Sequence, residues 1–522
     1  MMPPFRRVLV ANRGEIAVRI IRACHELGME AVAVYSDADA TAQHVRAADF
    51  AVRIGPPPAS ESYLRIDAIV AAALETGSEA VHPGYGFLAE RAAFARAVED
   101  AGLRFVGPAS SSIDALGDKL HARRIARDAG VAVVPGTLGP APVDRPDQVA
   151  SILAEAETIG YPLLVKAAAG GGGRGMRRVV SAAGLPEALA AGSHEAASAF
   201  GDGSVYLERE LVPARHIEVQ LLGDNTGRVV AIGERDCSLQ RRHQKLVEEA
   251  PAPGLTPDER QELHARAVRV ATAAGLRNAA TAEFLRSPDG TFHFLEVNTR
   301  LQVEHGVTEL VSGLDIVREQ FWLAAGRPLS EDACHAAERA AEPAGHAIEV
   351  RIAAEDPAGD FSPSPGRVRR WVMPAGPGVR VDTGIEAGER VPPEYDNLIA
   401  KIMVHAGDRD AAIRRLRRAL DETEIAGIQT TLPFHRFVAR SESFGAGELS
   451  TDWVGERWDG PAIFATAARV AQLAAGLDAL AGGIATAVAA GARVATVGYA
   501  ATSTDGAWAR SGRQSATDRW PP

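Results

Sequence analysis

The sequence predicts a mixed fold, α/β in its first part and α+β in the remainder, and three observations support it. Over residues 5–118, short β-branched runs such as RRVLVAN and EAVAVYS alternate with helix-like segments such as Ile16 to Leu27. This alternation is typical of a parallel, Rossmann-like sheet. From Tyr161 onward, strand-like runs follow one another at hairpin-like spacing, which favours antiparallel pairing. A further β-rich unit begins at HAIEVRIAAEDP, from His346.

These changes along the chain predict its domain organisation. We expect a Rossmann-like domain over residues 1–118, a second domain over 119–332, a β-rich domain over 333–450 and an extension over 451–522. Leu314 to Gly326 is a predicted helix, and TAARVAQLAAGLDALAGG, from Thr466, is a candidate amphipathic helix. The sequence assigns no chemistry to the extension.

The composition indicates a globular protein, because 46% of its 522 residues are hydrophobic. With 56 basic and 67 acidic residues the net charge is −11, which argues against nucleic acid or an anionic membrane as the main partner. Three widely separated cysteines, Cys24, Cys237 and Cys334, predict a reducing compartment without a disulfide framework. We see no signal peptide or membrane span in the sequence, and therefore expect a cytoplasmic protein.

Two acidic residues are predicted to face each other across a hairpin. The cluster Pro288 to Gly290 lies between two β-rich runs, and Asp-Gly favours the two central positions of a tight turn. Counting outward from that turn, Leu285 pairs with Phe294 and Glu283 pairs with Glu296.

This pairing predicts a metal site. Asn298 lies on the same strand face as Glu296, one step further along. Facing carboxylates destabilise a sheet unless a cation lies between them, and oxygen ligands at this spacing suit Mg²⁺. The alternative is a solvent-facing acidic pair on an ordinary hairpin.

A lysine and a glycine run predict a phosphate-binding lid. Lys166 ends the apolar run YPLLVKA and is followed by four glycines, Gly170 to Gly173, whose backbone N–H groups can approach phosphate oxygens. A strand-like run follows the glycines, so we predict a lid between two strands rather than a dinucleotide fingerprint. A mobile hairpin tip is the alternative. Lys119, at the predicted start of a helix, is either a second phosphate contact or a solvated lysine.

Two further clusters suggest anion chemistry. Lys245 and His243 lie in a basic stretch of this acidic chain and are candidates for anion capture, although a charge run is usually a solvated face. Arg300, Gln302 and Glu304 alternate beyond the acidic pair, so an arginine could hold an anionic transition state while a carboxylate removes a proton. A surface ion pair is the alternative for this second cluster.

Seven strings occur in a distinctive order over residues 5 to 450. They are ANRGEIAVRIIRA at Ala11, HPGYGFLAE at His82, GDK at Gly117, KAAAGGGGRGM at Lys166, ERDCSLQRRHQKLVEEAPAP at Glu234, EVNTRLQVEH at Glu296 and EVRIAAEDP at Glu349. Together they closely resemble biotin carboxylase, the ATP-grasp component of biotin-dependent carboxylases. The resemblance implies a Rossmann-like N-terminal domain over 1–118, an ATP-grasp domain over 119–332 with a lid at about 137–207, and a biotin carboxylase C-terminal domain over 333–450.

The resemblance also implies roles for individual residues, carried over from matching motif positions. The ATP contacts would be Lys119, Lys166, Gly172, Gly173, Glu208, Arg209, Glu210, Leu211, His216, His243 and Glu283. Glu283, Glu296 and Asn298 would bind two metal ions, Mg²⁺ or Mn²⁺. Lys245, Arg300 and Val303 would hold bicarbonate, and Arg351 would hold the ureido ring of biotin. The catalytic residues would be Lys245, Arg300 and Glu304, with Glu304 as the base that deprotonates bicarbonate.

The implied reaction uses ATP and bicarbonate to carboxylate biotin through carboxyphosphate. Biotinyl domains carry a Met-Lys acceptor, and none of the six methionines here precedes a lysine. We therefore expect a separate biotin carboxyl carrier protein, a carboxyltransferase subunit, and a homodimer or larger carboxylase complex that acts on an acyl-CoA. Arg19, Arg22 and Glu26 match positions of the family's homodimer contact.

The sequence departs from the family's usual pattern at three positions, Ala169, Gly306 and Ser362, and two rival functions remain. Gly306 stands where the family usually has proline, which predicts a looser loop around Glu304. Another ATP-grasp ligase, such as a carboxylate–amine ligase, would share the lid, the lysines and the metal acids, but would not need Lys245, Arg300, Glu304 and Arg351 together. A catalytically silent subunit would have no reason to keep an unfavourable acidic pair.

Overall fold

The computed structural model describes residues 2–141, 146–168 and 176–489. Gly172 and Gly173 of the predicted lid lie outside these ranges, as does the chain beyond Ala489. None of the helices in the described residues is long and apolar enough to cross a membrane.

The strands and helices are numbered in chain order. The strands are β1 Arg7–Val10, β2 Glu30–Ser36, β3 Phe50–Gly55, β4 Ala80–His82, β5 Arg104–Phe105, β6 Leu163–Ala167, β7 Arg177–Val179, β8 Val205–Arg209, β9 Arg215–Gly223, β10 Val229–Arg241, β11 Gln244–Ala250, β12 Asn278–Arg286, β13 Phe292–Asn298, β14 His346–Ala353, β15 Glu355–Asp356, β16 Ser362–Pro363, β17 Gly366–Arg367, β18 Arg370–Val372, β19 Val379–Thr383, β20 Arg390–Val391, β21 Leu398–Ala406 and β22 Glu424–Ala426. The α-helices are α1 Gly14–Glu26, α2 Gln43–Ala47, α3 Ile66–Glu75, α4 Ala92–Asp100, α5 Ser110–Gly117, α6 Lys119–Asp128, α7 Pro146–Ile159, α8 Leu185–Phe200, α9 Pro257–Ala273, α10 His305–Ser312, α11 Ile316–Ala324, α12 Glu331–Glu338, α13 Arg409–Glu422, α14 Leu432–Arg440, α15 Glu442–Gly445, α16 Trp453–Arg457 and α17 Gly460–Ala489.

The N-terminal part forms a parallel sheet of five strands in the order β3-β2-β1-β4-β5. Each strand lies in one of the β-branched runs of the sequence, and α1 connects β1 to β2. The prediction of a parallel, Rossmann-like sheet is confirmed.

A small unit follows, in which β6 pairs with β7 on one side and β8 on the other, both antiparallel. Its core joins apolar residues of these strands to α7 and α8, among them Ile152, Leu163, Val165 and Leu189. The glycine run lies in the sequence between β6 and β7, and the unit occupies the segment predicted as a lid.

The largest sheet has eight strands in the order β13-β12-β9-β10-β11-β14-β21-β19, and every neighbouring pair is antiparallel. The predicted antiparallel pairing of the central region is confirmed. Because β11 pairs with β14, the sheet runs without interruption from the segment before residue 333 into the segment that follows it. Side chains from both segments can therefore share one face.

The predicted hairpin forms with a different turn. Ser287 donates its N–H to the carbonyl of Thr291 at 3.0 Å, so the loop has three residues and Leu285 pairs with His293 instead of Phe294. Gly290 adopts φ +86° in this loop, the left-handed conformation of a three-residue hairpin. A register shift between Glu283 and the next residue restores the count, so Glu283 does pair with Glu296.

The N-terminal sheet and the central region share one hydrophobic core. Ile16 and Ile20 of α1 pack with Leu301, Ile316 and Phe321, and all five side chains are at most 2% exposed. Each fully buried side chain of this size contributes about 1.5–3 kcal/mol relative to an exposed one. Burial of Leu301 anchors the irregular segment between β13 and α10 against α1.

Candidate active site

The paired acids lie on β12 and β13, at one edge of the large sheet, beside a lysine from α6. Directly opposite residues of an antiparallel pair project from the same face, so Glu283 and Glu296 share a face. Asn298 donates its side-chain N–H to Glu283 at 2.8 Å, and the Lys119 ammonium lies 2.9 Å from the Glu296 carboxylate. Lys119 is the first residue of α6, and Asp118 caps that helix by accepting from its third residue. The predicted helix start at Lys119 is confirmed.

Lys245 on β11 is the central cation of the site. Its Nζ lies 2.5 Å from Glu218, 2.8 Å from Glu283 and 2.8 Å from Glu304. Burial alone would lower the pKa of Lys245, but the three carboxylates outweigh it and raise its pKa well above the usual value. Lys245 is therefore a fixed positive charge in the interior of the site.

Glu304 is fully buried between two cations. Lys245 donates to one carboxylate oxygen, and Arg351 of β14 donates to the other at 2.8 Å. Burial alone would raise the pKa of Glu304, but these charges outweigh it and hold its pKa well below the usual value. Arg351 also donates to Glu248 at 2.6 Å, while burial raises the pKa of that glutamate to about 7.

Arg300 reaches the site from the segment between β13 and α10. Its Nε donates to Glu90 at 2.9 Å, and its Nη atoms donate to Gln302 at 3.0 Å and Asn298 at 3.2 Å. Glu90 also accepts the backbone N–H of Thr299 at 3.1 Å. Sequence reasoning missed Glu90, although it ends the HPGYGFLAE string, because its partners are some 210 residues away.

Lys166 is positioned by Glu208. The Lys166 ammonium forms a short ion pair with the buried Glu208 carboxylate, whose other oxygen accepts from Arg123 at 2.5 Å. Burial alone would raise the pKa of Glu208, but Lys166 and Arg123 outweigh it and lower its pKa. Arg123 is fully buried and was not predicted; its spacing on α6, four residues after Lys119, places both on one helix face.

The residues that follow Glu208 are hydrogen-bonded to the segments around them. The N–H groups of Arg209 and Glu210 donate to the carbonyls of Pro135 and Pro162, at 2.7 and 2.9 Å. The Glu210 carboxylate accepts from Arg178 at 2.6 Å. Leu211 follows β8 and is partly exposed.

Two histidines lie near these groups. His216 approaches Glu283 at 3.0 Å, and this carboxylate raises the pKa of the imidazole although burial alone would lower it. His243 lies in the turn between β10 and β11 with φ +64°. Burial, followed by the charges of Lys166 and His216, lowers the pKa of His243.

The structure brings most of the predicted residues together. A cleft of about 630 Å³ between the N-terminal part and the large sheet is lined by Lys119, Glu296 and Asn298 together with Glu90. Val303 is half-buried beside Glu304, and its carbonyl accepts from Lys401 at 2.7 Å.

Gly306 is closely packed, and the structure does not support the prediction that it loosens the loop around Glu304. A Cβ atom added to Gly306 would lie 2.2 Å from the Sδ of Met403, so the methionine already fills the space beside the glycine. Glu304 and His305 next to it are fully buried.

The fold and the site together define an ATP-dependent ligase with an ATP-grasp domain. Three family models match in succession: the biotin carboxylase N-terminal domain over residues 4–113, the ATP-binding domain of the carbamoyl-phosphate synthase L chain over 118–332, and the biotin carboxylase C-terminal domain over 349–456.

Individual relatives are similar over most of their length. Biotin carboxylase of Pseudomonas aeruginosa is 48% identical over 86% of this chain and 98% of its own. Biotin carboxylase of Allochromatium vinosum is 49% identical over 86% of this chain and 97% of its own.

Solved structures of biotin carboxylases have the same fold as this chain. The biotin carboxylase–β,γ-ATP complex from Campylobacter jejuni has a TM-score of 0.82 and 42% identity, covering 87% of this chain and 99% of that one. The biotin carboxylase domain dimer of Hydrogenobacter thermophilus 2-oxoglutarate carboxylase, with MgADP, ADP and bicarbonate, has a TM-score of 0.81 and 44% identity, covering 87% and 97%. The chain belongs to the biotin carboxylase family.

Proposed function

We propose that this enzyme carboxylates biotin with ATP and bicarbonate, as the first half-reaction of a biotin-dependent acyl-CoA carboxylase. The observation that carries the proposal is the position of Glu304. A carboxylate held between Lys245 and Arg351, next to paired metal acids and Arg300, is an arrangement that a carboxylate–amine ligase has no reason to keep.

The acidic pair suits a divalent metal. Glu283, Glu296 and the side-chain oxygen of Asn298 are hard oxygen donors on one face, as Mg²⁺ prefers, and their charges are balanced by Lys245 and Lys119. These three residues would hold two Mg²⁺ ions, or Mn²⁺. When bound, the ions would neutralise charge on the triphosphate.

The chain's own residues bind and orient the substrates. Lys119 and Lys166, with Gly172 and Gly173 of the lid, would contact the phosphates. Glu208 to Leu211, His216 and His243 would complete the nucleotide site, with Glu208 holding Lys166 in place. Lys245, Arg300 and the backbone of Val303 would hold the bicarbonate anion. Arg351 would hold the ureido oxygen of biotin.

Glu304 would accept the proton of bicarbonate. Its pKa lies well below the usual value, so the carboxylate is fully ionised at neutral pH. Binding of an anion against Lys245 offsets part of the positive charge that depresses this pKa, and so raises the basicity of Glu304 when substrate is present.

The bond changes balance through carboxyphosphate. A bicarbonate oxygen attacks the γ-phosphorus and ADP leaves; the carboxyphosphate then yields CO₂ and phosphate. The phosphate takes the ureido proton, and the resulting enolate, stabilised by Arg300, attacks CO₂. Catalysis of this kind depends mainly on positioning and charge stabilisation.

The partners follow from this chemistry. Biotin would arrive on a separate biotin carboxyl carrier protein, and a carboxyltransferase subunit would complete the reaction. For a homodimer through α1, Arg22 and Glu26 are exposed, whereas Arg19 bonds within the chain to Glu309 and Asp315.

The test is ADP release with Mg²⁺, bicarbonate and free biotin, omitting each in turn. We expect release to require Mg²⁺, to depend on bicarbonate and to rise with biotin. Turnover that ignores bicarbonate and biotin but is stimulated by an amine would instead support a carboxylate–amine ligase, and complete inactivity with intact MgATP binding would support a silent subunit.

A further inference from the structure

Lysine use in this chain singles out one residue without an assigned role. Of 56 basic residues only four are lysines, at positions 119, 166, 245 and 401, so 52 are arginines. Three of the four lysines belong to the proposed ATP and bicarbonate sites. Lysine provides a compact ammonium that can meet oxygens from several directions, which the planar guanidinium of arginine cannot. Outside the proposed substrate sites, position 401 is the one basic position of this sequence that is lysine instead of arginine.

The surroundings of Lys401 require such a compact cation. The side chain is fully buried on β21, and its Nζ donates to the Val303 carbonyl at 2.7 Å. Carboxylate oxygens of Glu15 and Asp382 lie 3.4 Å and 3.9 Å from the same nitrogen. The three oxygens come from α1, from β19 and from the segment before α10. The ammonium thus joins three regions of the fold at one point.

The neighbouring strand holds the next residue of the same segment. Arg351 of β14 lies directly opposite Lys401 of β21, so the two side chains project from one face. Arg351 donates to the Glu304 carboxylate at 2.8 Å, while Lys401 donates to the Val303 carbonyl. Two adjacent strands therefore hold two consecutive residues, one through its side chain and one through its backbone.

We infer that Lys401 is a positioning residue for bicarbonate, acting through the Val303–Glu304 peptide. This inference rests on the proposed function. The peptide unit is planar, so a hydrogen bond to the Val303 carbonyl fixes the orientation of the whole unit. That unit joins the Cα atoms of Val303 and Glu304, so its orientation fixes where the Glu304 side chain, which would take the proton of the anion, leaves the backbone. It also restricts the rotation between this unit and the preceding peptide, whose Val303 N–H would bind the anion. The partners of Lys401 within the described residues do not include a proposed ATP contact, so its effect should be confined to bicarbonate.

Four variants separate this role from a structural one: Lys401→Met, Glu15→Gln/Lys401→Met, Glu15→Gln and Lys401→Arg. Lys401→Met removes the hydrogen bond and one buried charge. Above the pKa of Glu15, which is about 7, Glu15→Gln/Lys401→Met removes one charge of each sign, so the local balance is kept while the bond to Val303 is still lost. Glu15→Gln alone keeps that bond and is the matched control. Each is assayed as the full-length enzyme for the KM of bicarbonate, the KM of MgATP and the thermal midpoint.

We expect Lys401→Met and the double variant to raise the KM of bicarbonate about ten-fold or more, with the KM of MgATP within about two-fold of the parent. Glu15→Gln should leave both constants near the parent values. Lys401→Arg, which keeps the charge but not the compact shape, should also raise the KM of bicarbonate.

Four results would contradict the role of Lys401. If the double variant regains both stability and the parent KM of bicarbonate, the role of Lys401 is structural. A wild-type KM in Lys401→Arg, an equal rise in both KM values, or failure of both Met variants to fold would also overturn the inference. Loss of bicarbonate dependence in the unmodified enzyme would contradict the proposed function itself, independently of Lys401.

Discussion

Replacing Lys245 by methionine tests how charge is balanced in the site. The ammonium lies within 2.8 Å of three buried carboxylates, those of Glu218, Glu283 and Glu304. Each of these acids has one further cationic neighbour, respectively Arg235 at 2.6 Å, His216 at 3.0 Å and Arg351 at 2.8 Å. Arg351 is shared with Glu248, which lies 2.6 Å from it. In Lys245→Met, four carboxylates therefore share three cationic neighbours, and one unit of negative charge is left without compensation.

The size of the effect follows from that charge count. Leaving one partner of a buried ion pair uncompensated costs about 3–5 kcal/mol. The folded protein can avoid this cost by protonating one carboxylate, and one pKa unit corresponds to about 1.4 kcal/mol. The variant should therefore contain a carboxyl group with a pKa raised by about 2–4 units, to about 6.5–8.

The contribution of the carboxylates around position 245 to the pH dependence of stability then has opposite signs in the two proteins. In the parent, the pKa of Glu304 is held below its unfolded value, so the stability it contributes is present above about pH 4.3 and is lost as pH falls further. In Lys245→Met, the folded protein binds more protons than the unfolded chain between about pH 4.3 and 7, so stability falls as pH rises through that window.

The assay is urea denaturation of both proteins from about pH 5.5 to about pH 8.5, with ADP release measured in parallel. The stability deficit of Lys245→Met should be largest at the alkaline end of this range and small at the acidic end. Glu218→Gln/Lys245→Met, which restores the charge balance, should regain most of the stability at the alkaline end but no bicarbonate-dependent turnover. A deficit independent of pH, or unrelieved by Glu218→Gln, would refute the charge argument.

Three further predictions follow from the same structure. Arg300→Ala should lower biotin carboxylation about 100-fold while MgATP binding, measured by calorimetry, changes little; equal loss of both would contradict the role of Arg300. Gly306→Ala should cost about 1–3 kcal/mol in urea denaturation through overlap with Met403, and Met403→Ala in the same chain should recover part of it; strictly additive losses would contradict the packing argument. Burial raises the pKa of Glu15 to about 7 against the attraction of Lys401, so this group lowers stability as pH rises from about 4.5 to 7; Glu15→Gln should gain thermal midpoint over the parent from about pH 5 to about pH 8, and a constant difference would contradict that pKa.

The hairpin shows which features local sequence can predict. Alternation and the Pro-Asp-Gly cluster were sufficient to place Glu283 opposite Glu296, although the turn length was wrong. The three-residue loop shifts the register by one position, and the shift beyond Phe284 compensates for it. A bulge leaves no clear mark in composition. Here the extra residue is Leu295 of β13, while β12 keeps an unbroken register with β9 on its other side. The correct pairing was reached through two deviations that cancel.

The groups that sequence reasoning missed share a different property. Glu90, Arg123 and Lys401 contact other site residues, and their sequence positions do not show which residues those are. Glu90 holds Arg300 from 210 positions away, and Lys401 holds Val303 from 98 positions away. Such contacts form only when separate parts of the chain pack together, and the spacing of residues within a motif does not predict that packing.

The segment from Thr299 to Glu304 explains why those contacts are needed. It lies between β13 and α10 with no strand or helix of its own, so no repeating backbone pattern fixes its conformation. Its order comes instead from outside: Glu90 from the N-terminal part, Lys245 from β11, Arg351 from β14 and Lys401 from β21. The orientation of Glu304 therefore depends on four separate parts of the molecule, each of which must be in place. A change in any one of these elements should therefore alter bicarbonate use before it alters the fold.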